Sequence, residues 1–447
     1  MRTKTMWWII ALLVAASLVV SACAGTTTPQ PATQPEAPVA EPEEPAAAPE
    51  EPAAAPEEPA AEPEEPAAAP EEPAAGEPFV LGMLFVGPYN DRGWSQAHYD
   101  AGLYVEEKVP GVEMIYVDKV NPADRPGTTP AQLAEDLVSK GAKLIVFNSD
   151  DMKDSALDFA RANPEIPVIH ASGDAAWEEG HDYKNQPNLA NIMGRMDYGK
   201  MMAGCAAALT TQTGQIGYLG PLINDETRNL ASAAYLGAKH CWTEYLGNDP
   251  DDLQFKVIWI GFWFNIPGFT SDPTQVATEF FTTGHDVVIS GIDTTEGLTE
   301  ASRLAATGRE VWAIPYDYEG ACEPAEDVCL GVPWFNWGPA YLEQVQAVQN
   351  GTWEPIWEWN PPDWNDINNH DTSAVGFLKG EALSDEAAAH LDDFIGKLAG
   401  GLNLWTGPLN LQDGTQYLAD GEVATLQQIW YLPQLLEGME GQSVPTE

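Results

Sequence analysis

Basic residues are scarce in this chain. It carries 20 Lys and Arg against 68 Asp and Glu in 447 residues, which gives a formal net charge of −48. A surface this acidic repels phosphate backbones, so the composition argues against a nucleic acid as partner. The same field disfavours anionic ligands and suits neutral or cationic ones.

Motifs of catalysis and metal binding are missing as well. The chain has no GxSxG, HExxH or Walker A pattern and no nucleophilic cysteine motif. The stretch 214–220 reads GQIGYLG, which is not the dinucleotide-binding GxGxxG. Seven His are scattered, and neither CxxC nor HxxxH occurs. We therefore expect no catalytic residues, no metal ligands and no cofactor, in a protein that is not an enzyme.

The first 23 residues resemble a bacterial lipoprotein signal. Arg2 and Lys4 precede an apolar run at 7–20 that has the length of a signal-peptide core and is short for a membrane span. Small residues then stand directly before Cys23, as in the bacterial lipobox. This predicts a signal peptide over 1–22, lipidation of Cys23, and a protein lipid-anchored to the extracytoplasmic face of a bacterial cell membrane. An ordinary signal peptide or membrane anchor is the alternative.

A repetitive segment follows the lipobox. Residues 36–77 repeat EEPAAAP with a period of seven, and residues 29–78 hold 14 Glu without Lys or Arg. Recurrent proline and the lack of a large apolar seam argue against a coiled coil. We predict that residues 23–78 form a disordered Glu/Pro/Ala tether that lifts a folded domain off the membrane.

Four cysteines remain after Cys23, and their even number in an exported chain favours disulfides. Four cysteines allow three connectivities. Cys322 and Cys329 enclose only six residues, which favours that pair and leaves Cys205 with Cys241.

Residues 79–447 alternate strand candidates with helix candidates. Apolar runs at 80–86, 112–117, 144–147 and 167–170 are each followed by a helical pattern, and the order restarts at 215–219, 255–260, 287–290 and 311–315. Nearly continuous apolar strands indicate parallel sheets that are covered on both faces. About 370 residues in two such halves predict an α/β fold with two doubly wound lobes facing across a cleft.

Polar and aromatic side chains follow these strands at their carboxyl ends, where open α/β sheets bind ligands. The ligand-binding candidates are Asp91, Trp94, Asn148, Ser172, Gly173, Trp263, Asp317 and Trp337. Trp94 and Trp263 are expected to form aromatic walls from opposite lobes, with Trp337 as a third. Such walls and a carboxylate suit a flat, neutral, nitrogen-rich ligand. Taken singly, an Asp after a strand is also a usual helix cap, and a loop Trp usually serves packing.

Several of these segments resemble motifs of the basic-membrane-protein family of ABC-transporter substrate-binding lipoproteins. The similar stretches are 85–102 with its GPxxDxGWS pattern, 191–204, 214–220, 263–273, 284–288, 336–339 and 405–408. Their order is more specific than any one of them, and together they cover most of residues 79–447.

The resemblance implies a type I periplasmic-binding-protein fold, with two lobes joined by three crossovers near 194–198, 332–336 and 371–376. Lobe one would comprise 79–194 plus about 333–372, and lobe two 195–332 plus about 373–447. The implied function is capture of a purine nucleobase or nucleoside for an ABC permease. We expect the protein to act as a monomer.

The sequence departs from the nucleoside-binding pattern at two places. Many such members carry a Lys for the ribose near the second crossover, where this chain has Val332-Pro333-Trp334, and Asn265 stands where an Asp is expected. Both departures favour a free base or another flat heterocycle. A sugar receptor of the same fold is an alternative, because Trp also stacks on pyranose rings, and a surface sensor or adhesion module is another.

Overall fold

The structure, a computed structural model, describes residues 78–445. The predicted signal peptide, the lipidation site Cys23 and the tether up to residue 77 lie outside the described residues. Among the described residues, no helix combines the length and the apolar character needed to cross a membrane.

Strands and helices alternate through most of the described chain. The first part contains β1 (Phe79–Leu84), α1 (Trp94–Lys108), β2 (Val112–Val117), α2 (Pro130–Ser139), β3 (Ala142–Phe147), α3 (Lys153–Ala162), β4 (Val168–Ala171), β5 (Leu189–Gly194), α4 (Met196–Thr210), β6 (Gln215–Gly220), α5 (Asp225–Glu244) and β7 (Gln254–Trp259). The second part contains α6 (Pro273–Thr282), β8 (Val287–Ser290), α7 (Glu296–Ala305), β9 (Trp312–Ile314), β10 (Gly331–Phe335), α8 (Gly338–Asn350), β11 (Trp357–Asn360), β12 (Val375–Lys379), α9 (Asp385–Ala399), β13 (Leu409–Asn410), β14 (Gln416–Leu418), α10 (Leu426–Trp430) and β15 (Met439–Glu440).

Two parallel sheets organise these elements into two lobes. The lobe-one sheet has the order β11-β5-β4-β3-β1-β2, and the lobe-two sheet has the order β15-β7-β6-β8-β9. Helices α1, α2, α3 and α8 pack around the first sheet, and α4, α5, α6, α7 and α9 around the second. Each lobe encloses its own apolar core. The predicted type I periplasmic-binding-protein fold, with two doubly wound parallel-sheet lobes, is thereby confirmed.

Three segments cross between the lobes. The chain leaves the lobe-one sheet at the end of β5 and enters α4; β10 carries it back, and β12 returns it antiparallel to β10. The segments meet at Gly194, where an added Cβ would lie 2.7 Å from Val375 and 2.9 Å from Phe335. The third crossing lies at Val375–Lys379, at the end of the stretch expected from the family resemblance.

Strand β11 was not among the predicted strands. Its four residues alternate Trp with polar side chains, all are only partly buried, and they pair with β5 at the edge of the lobe-one sheet. An edge strand needs no continuous apolar run, because only one of its sides is paired. The sequence of β11 by itself therefore gives little indication that these residues form a strand.

Candidate functional site

A cavity lies between the lobes, at the carboxyl ends of their strands. Lobe one lines it with Trp94, Ser149, Asp150 and Ser172. Lobe two lines it with Tyr218, Glu226, Thr227, Leu230, Trp263, Gly291, Asp293 and Tyr316.

The two lobes contact each other around this cavity. Gly93 lies so close to the backbone carbonyl of Asp293 that a Cβ at position 93 would overlap it. Beside this contact, the Arg92 guanidinium of lobe one pairs with the Glu323 carboxylate of lobe two at 2.9 Å. The lobes are therefore in a closed arrangement, and glycine at position 93 permits it.

Trp94 forms the lobe-one wall at the start of α1 and is 8% exposed. Its indole Nε1 donates a hydrogen bond to the backbone carbonyl of Asn148. Its ring packs edge-on against Phe335 and Trp337, with 5.3 Å between centroids in each pair. Trp94 thus belongs to the lobe-one core and to the cavity wall at the same time.

Asp91 caps α1 and does not line the cavity. Its carboxylate accepts hydrogen bonds from the backbone N–H groups of Gly93 at 2.9 Å, Ser95 at 3.0 Å and Gln96 at 2.9 Å. Burial raises the pKa of Asp91 to about 6, and these hydrogen bonds oppose that rise. The structure therefore gives Asp91 the role of holding the helix start that carries Trp94, in place of the expected direct contact with ligand.

Ser172 and Gly173 form a tight turn after β4, with φ of 74° and 73°. Ser172 lines the cavity at 2% exposure, and its hydroxyl has no hydrogen-bond partner among the described residues. Gly173 faces a second, neighbouring chamber, and its carbonyl accepts a hydrogen bond from the indole of Trp357 at 3.2 Å. Asn148 is fully buried behind Trp94, where its Oδ1 accepts from Val86 N at 2.9 Å.

Trp263 forms the opposite wall from the loop that follows β7, and it is 8% exposed. Its backbone carbonyl accepts the N–H of Asp293 at 2.9 Å, which ties this loop to the segment that follows strand β8. Trp94 and Trp263 therefore reach one cavity from opposite lobes.

Trp337 does not line the cavity. Its ring stacks on His98 at 4.3 Å between centroids and lies against Trp94 from the core side. Trp337 is 2% exposed, so it supports the first wall and is not the third wall that the sequence suggested.

Lys200 lies at the centre of lobe two, although nothing in the sequence marked it. The side chain is fully buried, its Nζ donates to the carbonyl of Ser290 at 2.6 Å, and it lies 3.2 Å from the centroid of the Tyr316 ring. Burial lowers the pKa of Lys200 to about 7, and the nearby Asp317 carboxylate opposes this shift.

Asp317 is enclosed next to this lysine, with a backbone φ of 74°. Neither carboxylate oxygen has a well-formed hydrogen bond among the described residues. Burial raises the pKa of Asp317 well above its ordinary value, and Lys200 opposes the rise. Asp317 thus lies behind Tyr316 and does not itself line the cavity.

Glu226 and Asp293 are the lobe-two carboxylates that do line the cavity, and sequence reasoning missed both. Burial raises the pKa of Glu226 to about 8, with Asp150 of lobe one adding to the shift and Lys200 opposing it. Burial also raises the pKa of Asp293 well above its ordinary value, with Asp317 and Asp91 adding to it. Glu226 lies in the first turn of α5. Asn224 caps this helix, because its side-chain oxygen accepts a hydrogen bond from the backbone N–H of Thr227 at 2.9 Å.

A second, more open chamber adjoins the first and shares Asp150 and Glu226 with it. Its other walls include Asp174, Asp182 and Asp225, with Trp430 and Tyr431 from the C-terminal region. Among residues 78–445, no three His, Cys, Asp or Glu side chains are grouped so as to hold a metal ion.

Both cysteine pairs are disulfide-bonded in the structure. Cys205 and Cys241 join α4 to α5 with 5.2 Å between Cα atoms. Cys322 and Cys329 close the loop after Asp317 with 5.7 Å between Cα atoms.

Known proteins resemble this chain in sequence. Residues 79–241 match the family model described as ABC transporter substrate-binding protein PnrA-like. A purine-binding protein of Brucella abortus is 27% identical over 353 residues, which are 78% of this chain and 89% of that protein. A putative ABC transporter glucose-binding protein of Haloferax volcanii is 24% identical over 284 residues, 64% of each chain.

Solved structures show the same fold. A solute-binding protein of an ABC transporter system from Aeropyrum pernix K1 has a TM-score of 0.56 at 13% identity, over 75% of this chain and 93% of that one. A corresponding protein from Conexibacter woesei has a TM-score of 0.51 at 13% identity, over 72% and 97%. These structures show the fold alone, and the family model over residues 79–241 confirms the resemblance seen in the sequence: the chain is similar to ABC-transporter substrate-binding proteins of the PnrA-like, basic-membrane-protein type.

Proposed function

We propose that the protein captures a small, flat, nitrogen-rich heterocycle, a purine nucleobase or nucleoside, between its lobes and delivers it to an ABC permease. Substrate-binding proteins of ABC transporters act outside the cytoplasm and are generally not enzymes. The proposal therefore concerns which ligand is carried and how it is held.

The observation that carries the proposal is the pair Trp94 and Trp263, which reach the cavity from opposite lobes. A flat ring between two indoles gains stacking energy, and the polar groups at the cavity edge then select among flat rings. Ser172 and Asp293 line the cavity from opposite lobes, and the Ser172 hydroxyl has no hydrogen-bond partner among the described residues, so it is available to a ring nitrogen or N–H of a ligand. The name of the relative from Brucella abortus supports a purine.

The second chamber gives the ligand room for a substituent. It joins the first at Asp150 and Glu226, so a base held between the tryptophans can extend a hydrophilic group such as a ribose into it. This feature is compatible with a nucleoside, whereas the departures from the family pattern at 332–334 and at Asn265 favour a free base.

Isothermal titration calorimetry with purine bases, nucleosides and monosaccharides tests the proposal. We expect micromolar or tighter binding of at least one purine and none of glucose. Tight glucose binding without purine binding would instead assign the chain to sugar receptors, in line with the name of the relative from Haloferax volcanii.

We also propose that Cys23 carries the lipid anchor and that residues 23–78 form the tether. Expression in a bacterium that is fed a labelled fatty acid should label the wild-type protein and leave Cys23→Ala unlabelled. Label in both proteins would place the lipid elsewhere.

A further inference from the structure

One buried side chain of lobe two contacts three strands whose carboxyl ends line the cavity. Lys200 lies on α4, is fully buried and does not itself line the cavity. Its Nζ donates a hydrogen bond to the carbonyl of Ser290, the last residue of β8, at 2.6 Å. The same Nζ lies 3.2 Å from the ring centroid of Tyr316, which follows β9, and 5.6 Å from that of Tyr218 on β6. Both tyrosines line the cavity.

The hydrogen bond to Ser290 lies where the sheet no longer holds β8. The pairing of β8 with β9 ends at Ile289 and Ile314, so the Ser290 carbonyl lies one residue beyond it. Ser290 is buried, and a buried carbonyl without a donor costs free energy. Lys200 supplies a donor at this point, and it does so in either protonation state, because a neutral amine also carries N–H groups.

The residues after Ser290 carry this constraint to the cavity. Gly291 and Asp293 both line it. An added Cβ at Gly291 would lie 2.6 Å from the Tyr218 hydroxyl, so this segment and that ring are in close contact. The Asp293 N–H donates to the Trp263 carbonyl at 2.9 Å. A displacement of Ser290 would therefore move Asp293 and, through it, the loop that carries the Trp263 wall.

Tyr316 is held from two directions. Its neighbour Asp317 bonds the crossover strand β10, because the Asp317 N–H donates to the Pro333 carbonyl at 3.2 Å and the Asp317 carbonyl accepts from Phe335 N at 3.0 Å. The backbone beside Tyr316 is thus fixed by β10, and the face of its ring is fixed by Lys200.

We propose that Lys200 is a positioning residue for ligand binding. Without touching the ligand, it fixes the ends of β8 and β9 so that Asp293, Tyr316 and the Trp263 loop keep their places in the cavity. The proposal rests on the proposed function, because it takes this cavity as the ligand site, and it extends that function to a residue behind the cavity wall.

Lys200→Met tests the proposal, because methionine is close to lysine in length and cannot donate to Ser290. The probes are adenine, guanine, adenosine and guanosine, titrated calorimetrically into the mature protein. The purine that binds the wild type most tightly should bind Lys200→Met about tenfold more weakly. This variant should also lose stability, because Asp317 is left without its buried partner.

The double variant Lys200→Met/Asp317→Asn separates positioning from stability. It leaves neither member of the buried pair alone, and asparagine tolerates the φ of 74° at position 317. Its melting temperature should lie closer to that of the wild type, while its affinity should remain about tenfold lower, because the Ser290 donor is still missing. The stoichiometry of each titration gives the folded fraction, so affinities are compared per folded molecule.

Hydrogen exchange of the ligand-free protein measures the positioning directly. Peptides covering residues 290–294 should exchange faster in the double variant than in the wild type, because the Asp293 amide is held less firmly to Trp263. Peptides covering β3 of lobe one should exchange at the wild-type rate. A general loss of stability would instead speed exchange in both regions.

Lys239→Met is the matched control. Lys239 also belongs to a helix of lobe two and lies 5.7 Å from the ring centroid of a tyrosine, Tyr235, but it lines neither described chamber. The same substitution there should change neither the affinity nor the exchange of residues 290–294.

Four results would overturn the proposal and leave the proposed function intact. They are wild-type affinity in Lys200→Met, recovery of affinity together with stability in the double variant, unchanged exchange of residues 290–294, and an equal loss of affinity in Lys239→Met. If the wild type binds glucose and no purine, the proposed function fails, and titration of the same variants with glucose still decides the role of Lys200.

Discussion

The two cavity tryptophans differ in what surrounds them, and this difference decides what their removal will do. Trp94 is packed on Phe335 and Trp337 and hydrogen-bonded to Asn148, whereas Trp263 stands on a loop outside the apolar cores. The packing shows that Trp94→Ala opens a cavity in the lobe-one core, at a cost of about 3–5 kcal/mol.

Trp263→Ala is therefore the cleaner test of stacking. We expect it to weaken purine binding roughly 5- to 150-fold, since a base–aromatic stack contributes about 1–3 kcal/mol. Titration calorimetry measures the loss of affinity, and thermal melts should show a smaller loss of stability than in Trp94→Ala. Trp353→Ala is the control, because Trp353 lines neither chamber. Unchanged affinity in Trp263→Ala would mean that the ring does not contact the ligand.

Among the elements, the C-terminal clasp, defined as residues 425–432, connects the two lobes a fourth time. Ile429 and Leu432 pack into the lobe-two core, while Trp430 packs into the core of lobe one. The Tyr431 ring stacks on His181 at 3.8 Å and on Trp177 at 5.7 Å, and its hydroxyl bonds the Asp174 carboxylate. The clasp also forms a wall of the second chamber, so its contacts with lobe one must break when the lobes open.

Tyr431→Ala should accordingly speed ligand release. We expect a rise in the dissociation rate of severalfold to tenfold, because the stacking of Tyr431 on lobe one is lost. Stopped-flow tryptophan fluorescence measures the dissociation rate. Tyr431→Phe keeps the ring and removes only the hydroxyl, so its dissociation rate should lie between those of the wild type and Tyr431→Ala. If release is equally fast in the wild type and in Tyr431→Ala, the clasp does not limit opening.

The two disulfides should differ in their contribution to stability. Cys205–Cys241 spans 36 residues and holds α4 to α5, whereas Cys322–Cys329 spans 7. The longer loop restricts the unfolded chain more, so replacing its pair by Ala should cost about 2–4 kcal/mol and replacing the shorter pair less. Urea unfolding of the two double variants measures both costs. A larger loss from the shorter pair would show that local order around Asp317 matters more than chain entropy.

At the scale of the whole molecule, closure brings carboxylates of both lobes together. Burial and the lobe-one Asp150 raise the pKa of Glu226 from 4.5 to about 8 in the closed arrangement, and in an open, hydrated cleft the ordinary value should return. The closed state then binds the proton more tightly than the open one. Protonation of Glu226 therefore favours closure at low pH, and this contribution is lost as the pH rises from about 4.5 to about 8.

Small-angle X-ray scattering of residues 78–447 tests this linkage. Without ligand, the radius of gyration should be larger at about pH 8 than at about pH 5, and the difference should shrink in Glu226→Gln. Adding a saturating purine should reduce the radius at both values. A radius that changes neither with pH nor with ligand would indicate a rigid cleft.

Sequence alone determined the architecture and indicated where the candidate cavity lies. Apolar runs such as Val80–Val86 indicate strands of a parallel sheet from a few neighbouring residues. Because the carboxyl ends of parallel strands lie at the same edge of a sheet, Trp94 and Trp263 could be predicted as residues of one cleft. The family motifs added the fold type and the crossovers. These inferences succeed because they depend on patterns a few residues long.

The charges of the site were decided only by tertiary structure. In the sequence, Lys200 and Glu226 look like ordinary solvent-facing helix residues, and Asp91 and Asp317 look alike. Lys200 becomes buried because α4 packs under β8 and Tyr316, whereas Asp91 turns inward to cap its own helix. Burial of a charge depends on which distant segments close over it, and segments from both lobes enclose this cavity. No local sequence pattern indicates that closure, so the enclosed carboxyl groups and the C-terminal clasp could be identified only from the folded molecule.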